Sequence, residues 1–368
     1  MSKTRRSEPE FVADSEDLDA SALLEGLVVD GSRGIYRVET LAGTLRCEIR
    51  GRLRKQLYYA QSTSTTFRKS VQRVKVSHHD PVAVGDRVRV LTTGGGAGVI
   101  EEVIERAGGS FARRDPEAGQ GTLRSVVGLE QLVVVLAARE PEPHLGLLDR
   151  FLVTAEAEQL RAVICINKTD LGMPPWLEEP LAVYAALGYP VVRTSTTSGD
   201  RCDALRGHLA GRTSAFLGPS GVGKSSLLNA LQPGLHERVS AVSGATSKGR
   251  HTTTGTRLFP LDGVTGGYIA DTAGIRALSL HADVLANLDH CFPEFRPYLG
   301  QCTLRDCSHL HEPGCAVRAA LEAGHITRAR YASYGRFSRG EGDLTASASR
   351  DVSYLWWSGI ADRNAGPP

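Results

Sequence analysis

The chain has no apolar run of about 18 residues and no charged-then-apolar leader, which argues against a membrane span and against secretion. Its net charge is small: 43 Lys and Arg stand against 41 Asp and Glu, leaving +2. The overall balance therefore points to no polyanionic partner, and any such signal has to come from local charge. Cysteines are too few and too unevenly placed for a disulfide framework. There are seven, an odd number, and four of them fall between residues 291 and 315. That clustering is expected of a metal site in a reducing compartment, which makes the cytoplasm the expected location. The remaining composition, 41% hydrophobic and 23% charged, is that of a soluble protein. A length of 368 residues leaves room for two or three domains, and a monomer is expected.

The segment around which the rest is organised is Gly218-Pro219-Ser220-Gly221-Val222-Gly223-Lys224-Ser225, which reads G-x-x-x-x-G-K-S and continues into Ser226. A short apolar run (214–217) precedes it and a helix-like run (226–231) comes after it. Strand, glycine loop and helix form the context in which this spacing cradles phosphates. Glycines let backbone N–H groups approach the phosphates, and the helix N-terminus adds partial positive charge. Lys224 is placed to reach the β- and γ-phosphates, and the Ser225 hydroxyl to hold Mg²⁺.

An apolar strand at 162–166 ends in Asn167-Lys168-Thr169-Asp170. At that strand end Asp170 can accept from guanine N1–H and N2–H₂, a pair of donors adenine does not offer. Adenine would leave a carboxylate unpaired. Asn167 is expected to hold the loop and the Lys168 stem to cover the ring. Thr194-Ser195 falls where a second base-contacting loop is expected. GTP and GDP are the expected ligands.

Two later segments are candidate switches. In Gly249-Arg250-His251-Thr252-Thr253-Thr254, a threonine, Thr253 or Thr254, can offer a hydroxyl to Mg²⁺ and an N–H to the γ-phosphate. A strand at 267–270 leads into Asp271-Thr272-Ala273-Gly274, with Asp271 expected on the Mg²⁺ shell and the Gly274 N–H on the γ-phosphate. Ile275 comes next, where many GTPases carry a water-orienting glutamine. Slow intrinsic hydrolysis that needs a partner is the consequence, with His251 or an arginine from outside as the candidate accelerator.

The order of these motifs is unusual. NKxD (167–170) precedes the phosphate loop, which precedes DxxG (271–274), as in a circular permutation of a parallel α/β sheet. The second switch is then tied by a short stretch of chain to a cysteine-rich segment, with Cys302, Cys307, His309 and Cys315 within 14 residues. Three thiolates and an imidazole match a closed, structural zinc site, with His311 a weaker competitor. Cys47, Cys165, Cys202 and Cys291 have no such partners and read as apolar positions.

The N-terminal third carries short β-like runs at 27–29, 35–38, 45–49, 71–76, 87–90 and 98–100. They suggest a small closed barrel of the OB type. Residues 31–90 hold 13 Lys and Arg and four Asp and Glu, the local footprint expected for a phosphate-backbone partner. The expected organisation is a disordered tail (1–23), barrel (24–106), linker (107–125), permuted GTPase domain (126–280), mostly helical zinc-binding module (281–335) and C-terminal tail (336–368). Helices are expected near 147–159, 177–187, 203–210, 316–323 and 326–334.

With these residues assembled, the chain resembles the circularly permuted GTPases of the ribosome-small-subunit-dependent GTPase A family. GPSGVGKSS, GRHTTT, DTAG with a hydrophobic residue after it, CFPEF (291–295) and the Cys/His pattern with EPGC (312–315) carry the resemblance, which covers about residues 24–335. It implies GTP hydrolysis stimulated by the small ribosomal subunit, binding of that subunit's rRNA, and a role in its late maturation. At 128–131 the chain reads Gly-Leu-Glu-Gln, where members commonly show an Asn-Val-Asp-Gln-like segment. Two rival readings remain. A small-molecule kinase with this phosphate loop predicts ATP preference, against which NKTD argues. An RNA scaffold with a vestigial site predicts indifference to GTP, against which Lys224, Ser225 and Asp271 argue.

Overall fold

The computed structural model describes residues 23–32, 34–51, 53, 82–104, 109–114, 122–197, 202–235, 257–270 and 282–341. The strand expected at 71–76, the two switch motifs and the C-terminal aromatics at 354–357 lie outside these residues.

Five strands close a barrel in the order β1-β2-β3-β5-β4: β1 (Leu23–Ser32), β2 (Ile35–Thr40), β3 (Gly43–Ile49), β4 (Arg87–Gly94) and β5 (Ala97–Val103). Alternation explains the closure. Tyr36 and Val38, Cys47, Val88 and Val90, and Ile100 point inward and are fully or almost fully buried, while their neighbours along each strand face outward. The β1–β2 register slips between Val28 and Asp30. This bulge gives adjacent residues different destinations: Val28 lies in the barrel core, whereas Val29 joins the core of the neighbouring α/β sheet.

Residues 109–114 and 122–129 form an antiparallel pair, β6 and β7. The expected linker (107–125) is thus corrected to a hairpin that runs on into the sheet domain. Its Gly- and Arg-rich composition shows no apolar alternation, and strand pairing rests on backbone groups that composition does not reveal.

The six-stranded sheet runs β10-β9-β8-β11-β13-β12, with β8 (Gln131–Ala137), β9 (Arg161–Asn167), β10 (Val191–Arg193), β11 (Thr213–Leu217), β12 (Leu258–Pro260) and β13 (Tyr268–Ala270). All pairs are parallel except β12 with β13. Every residue of β8 is buried, as expected for a parallel strand covered on both faces. Leu132, Val134 and Leu136 pack against α1 (Leu145–Ala157) and α2 (Pro175–Ala186). Val133, Val135 and Ala137 pack against α3 (Cys202–Leu209) and α4 (Lys224–Leu231). The His144 side chain caps α1 by accepting from the Leu147 N–H at 3.0 Å.

The C-terminal module comprises α5 (Ala282–Ala286), short 3-10 turns at 288–291 and 293–298, α6 (Ala316–Glu322) and α7 (Arg328–Ser338). Phe292, Phe295, Val317, Ile326, Tyr334 and Phe337 make its core, joined by Val153 from α1. The tail expected from residue 336 is corrected here. α7 continues to Ser338, and Phe337 is buried one turn beyond Tyr334, on the same apolar face. A buried arginine fastens the module to the sheet domain. Arg330 lies against Asp149 of α1 (2.6 Å) and Glu294 (2.6 Å), and its guanidinium sits 4.6 Å from the centre of the Phe292 ring.

Candidate functional site

The phosphate-loop residues stand between β11 and α4. Gly218 has φ 150°, and a Cβ there would lie 2.1 Å from the Val135 carbonyl, so the loop leaves its strand pressed against β8. Gly223 (φ 90°) precedes the first turn of α4. There Lys224 folds back, its Nζ donating to the carbonyls of Gly218 (2.8 Å) and Pro219 (2.6 Å). This puts the ammonium at the mouth of the loop. Ser225 and Ser226 are exposed on the same turn.

The NKTD residues come directly after β9 and meet the phosphate loop. Asn167 is fully buried. Its Nδ2 donates to the Val222 carbonyl at 2.9 Å, and its Oδ1 accepts from the Thr194 hydroxyl at 3.1 Å. Lys168 adopts a left-handed conformation (φ 60°), and its Nζ donates to the Glu140 carbonyl on the loop after β8. The Thr169 N–H and hydroxyl both donate to the Thr194 carbonyl, at 3.2 and 3.1 Å. Asp170 is exposed at the rim, and its Oδ1 accepts from the Ser195 hydroxyl at 2.6 Å. Residues 167–170, Ser195 and the phosphate loop thus converge at the carboxyl ends of β9, β10 and β11, where open α/β sheets bind ligands. His251, Thr253, Thr254, Asp271 and Gly274 lie outside the described residues.

Thr194, which the sequence places with Ser195 in a second base-contacting loop, organises both Asn167 and Thr169. One contributor was hidden from sequence reading. The Glu140 carbonyl acts through backbone, which no side-chain pattern reports.

Cys302, Cys307, His309 and Cys315 converge in the C-terminal module, with one ligand atom from each lying within 4.8 Å of the others. Tetrahedral zinc, at about 2.3 Å from sulfur and about 2.0 Å from nitrogen, sets its ligand atoms roughly 3.5–3.8 Å apart. The His309 Nδ1 lies 3.5 Å from the Cys302 sulfur and 3.4 Å from the Cys315 sulfur, and those sulfurs are 4.0 Å apart. The four residues therefore fit the ion. The second imidazole nitrogen of His309 faces Asp289 at 3.5 Å, the outer-shell carboxylate expected behind a metal-binding histidine. Desolvation and the neighbouring Cys315 and Cys302 push the Cys307 thiol up to about 12. A divalent cation among the sulfurs reverses that sign. Glu312 braces the loop by accepting from the Ser308 N–H (2.9 Å), the Ser308 hydroxyl and the Leu310 N–H (3.2 Å). The Ser308 hydroxyl is the main reason its carboxyl is held well below the usual range. His311, the weaker competitor, points into solvent outside the group. Burial pushes Cys165 up to about 12 and Cys47 and Cys291 to about 11, so these thiols stay protonated and apolar.

Residues 108–281 match the family described as RsgA GTPase. The "Small ribosomal subunit biogenesis GTPase RsgA" of Gemmatimonas aurantiaca is 44% identical over 312 residues, 84% of this chain and 94% of that protein. The chain belongs to the RsgA GTPase family. Two solved structures resemble it. YjeQ from Thermotoga maritima matches with a TM-score of 0.63 at 31% identity, over 88% of this chain and 100% of that one. YloQ, described as a circularly permuted GTPase, matches with a TM-score of 0.62 at 26% identity, over 90% of this chain and 99% of that one. The RsgA assignment makes the sheet domain a circularly permuted GTPase and the enzyme a GTP hydrolase. Among the described residues no helix is long and apolar enough to cross a membrane.

Proposed function

We propose that this protein hydrolyses GTP to GDP and phosphate during biogenesis of the small ribosomal subunit, that the subunit accelerates the reaction, and that its rRNA is the bound partner. The observation that supports this best is the Asn167–Val222 hydrogen bond, because it couples a guanine-reading loop to a phosphate loop in one site. In this reading Asp170, oriented by Ser195, accepts from the guanine edge. Asn167 and Thr169 hold the loop, and the Lys168 stem covers the base. Residues 218–226 wrap the phosphates. Lys224 exchanges its two loop carbonyls for phosphate oxygens and stabilises charge as the bond to the γ-phosphate breaks. Ser225 and Asp271 would hold Mg²⁺, which would neutralise negative charge on the phosphates. Thr253, Thr254 and Gly274 would sense the γ-phosphate, and His251 is the candidate to act on the attacking water.

Cys302, Cys307, His309 and Cys315 would hold one structural zinc. The barrel, residues 24–106, and the zinc module, from 281 to the end of α7, would read the nucleotide state against rRNA. The protein would act in the cytoplasm as a monomer. GTP turnover by the purified protein, with and without small ribosomal subunits and with ATP as control, tests the reading. A slow rate specific to GTP, raised many-fold by the subunit and abolished by Lys224→Ala, is the expected result. Full turnover in Lys224→Ala would refute the site assignment, and a rate unmoved by the subunit would refute the partner.

A further inference from the structure

Among the described residues the barrel touches the sheet domain through side-chain polar contacts at two points, and each adjoins a switch motif in sequence. Asp30, just past the bulge in β1, pairs with Arg257, which lies three residues after Thr254 and immediately before β12. Glu39 on β2 accepts from the Tyr268 hydroxyl at 3.0 Å. Tyr268 opens β13, three residues before Asp271.

Asp30 has a second arginine beside it. The strand register sets Asp30 opposite Arg37, and Arg37 opposite Arg46. Side chains directly opposite one another on antiparallel strands are near neighbours, and like charges so placed repel. Arg37 and Arg46 are both exposed, and neither has an ion-pair partner among the described residues. They line a groove of about 500 Å³ together with Asp30, Thr44 and Gly96. Two facing guanidiniums in an open groove suit a chain of phosphates, which single-stranded RNA presents at regular spacing.

We infer that Asp30, paired with Arg257 and set opposite Arg37 by the strand register, is the carboxylate through which an RNA-phosphate groove on the barrel is energetically coupled to the segment between the first switch motif and β12. This rests on the reading that the chain binds ribosomal RNA. With phosphate on Arg37 and Arg46, Asp30 is left to Arg257 and the barrel grips β12. With the groove bare, Arg37 competes for the same carboxylate. A nucleotide state that moves Arg257 therefore changes the affinity of the groove, and by reciprocity occupancy of the groove changes nucleotide preference.

The test is binding of the full-length protein to purified small ribosomal subunits, with a non-hydrolysable GTP analogue or with GDP, across a salt series. Arg37→Ser with Arg46→Ser is expected to weaken binding in both nucleotide states and to lower the salt slope by about two. Asp30→Asn and Arg257→Gln are each expected to reduce the ratio of the two affinities at least about fivefold, with the double variant no further reduced. Hydrolysis without subunits should change less than about twofold in these variants, which also controls for folding. A nucleotide ratio unchanged in both single variants overturns the coupling, as does a wild-type ratio of one. Unchanged binding and salt slope in the arginine pair overturns the groove. Failure of the wild type to bind subunits in either state instead refutes the reading on which the inference rests.

Discussion

The side-chain amide of Asn167 donates to the carbonyl of Val222 at 2.9 Å, joining two loops 55 residues apart in the chain. The contact is tight on both sides, since a Cβ added at Gly223 would lie 2.4 Å from the same nitrogen. Asn167 is fully buried and also accepts from Thr194. Asn167→Ala therefore strands the buried Val222 carbonyl and leaves the Thr194 hydroxyl only the Cys165 sulfur, at 3.4 Å. We expect a loss of about 1–3 kcal/mol in stability, measurable by urea unfolding. A larger proportional loss in GTP affinity should accompany it, because the guanine and phosphate loops lose their common register. A variant that unfolds earlier but binds GTP normally would show that the bond serves stability alone.

Legibility in the sequence depended on whether a feature is carried by side-chain pattern or by long-range partnership. The motif order 167–170, 218–225, 271–274 implied a permuted sheet, and the observed order, with β8 between β9 and β11, agrees with it. The inward alternation of the barrel strands was likewise readable. The hairpin at 109–129 was not, because backbone pairing leaves no mark in a Gly- and Arg-rich segment. Nor was the bulge that sends Val29 into the sheet-domain core. Arg330 illustrates the general limit. An arginine in a polar helix reads as solvated surface, and only the fold reveals that it is 2% exposed between two carboxylates.

That arginine carries its own expectation. Its guanidinium engages Asp149 and Glu294 from different edges of one plane, while Asp149 also accepts from Tyr184 at 2.7 Å and from Ser333. Arg330→Met removes the cation and leaves two buried carboxylates. The expected cost is about 3–5 kcal/mol, read by denaturant unfolding. Arg330→Lys should recover little, since a single ammonium cannot present two edges. Substantial rescue by lysine would mean that net charge, not the planar fork, holds the module to the sheet domain.

Metal removal should act on the C-terminal module before the rest of the molecule. The module has a modest apolar core, and its loop between 302 and 315 is organised by four ligand residues and by Glu312. Structural zinc binds small sites with about 10 kcal/mol or more of apparent free energy at neutral pH. Elemental analysis is expected to give one zinc per chain, and Cys307→Ser or His309→Ala to lower that occupancy. A strong chelator should lower the melting temperature and expose amides in residues 302–338 to hydrogen exchange. A chelated protein with unaltered exchange there would argue against a structural ion.

The Tyr268–Glu39 contact predicts an alkaline signature for the junction between barrel and sheet domain. Burial, reinforced by the Glu39 carboxylate that accepts its hydroxyl proton, raises the Tyr268 phenol from about 10 to about 12. The folded pKa lies above the unfolded one, so the unfolded chain loses this proton first as pH rises. The associated stabilisation is fully present below about pH 10 and disappears as pH climbs through about 12. Tyr268→Phe lacks both the hydrogen bond and the titration. The difference in melting temperature between wild type and Tyr268→Phe should therefore stay constant up to about pH 10 and shrink from there towards 12, the other tyrosines cancelling in the comparison. A difference that stays flat across that range would mean that the phenol contributes through its ring alone.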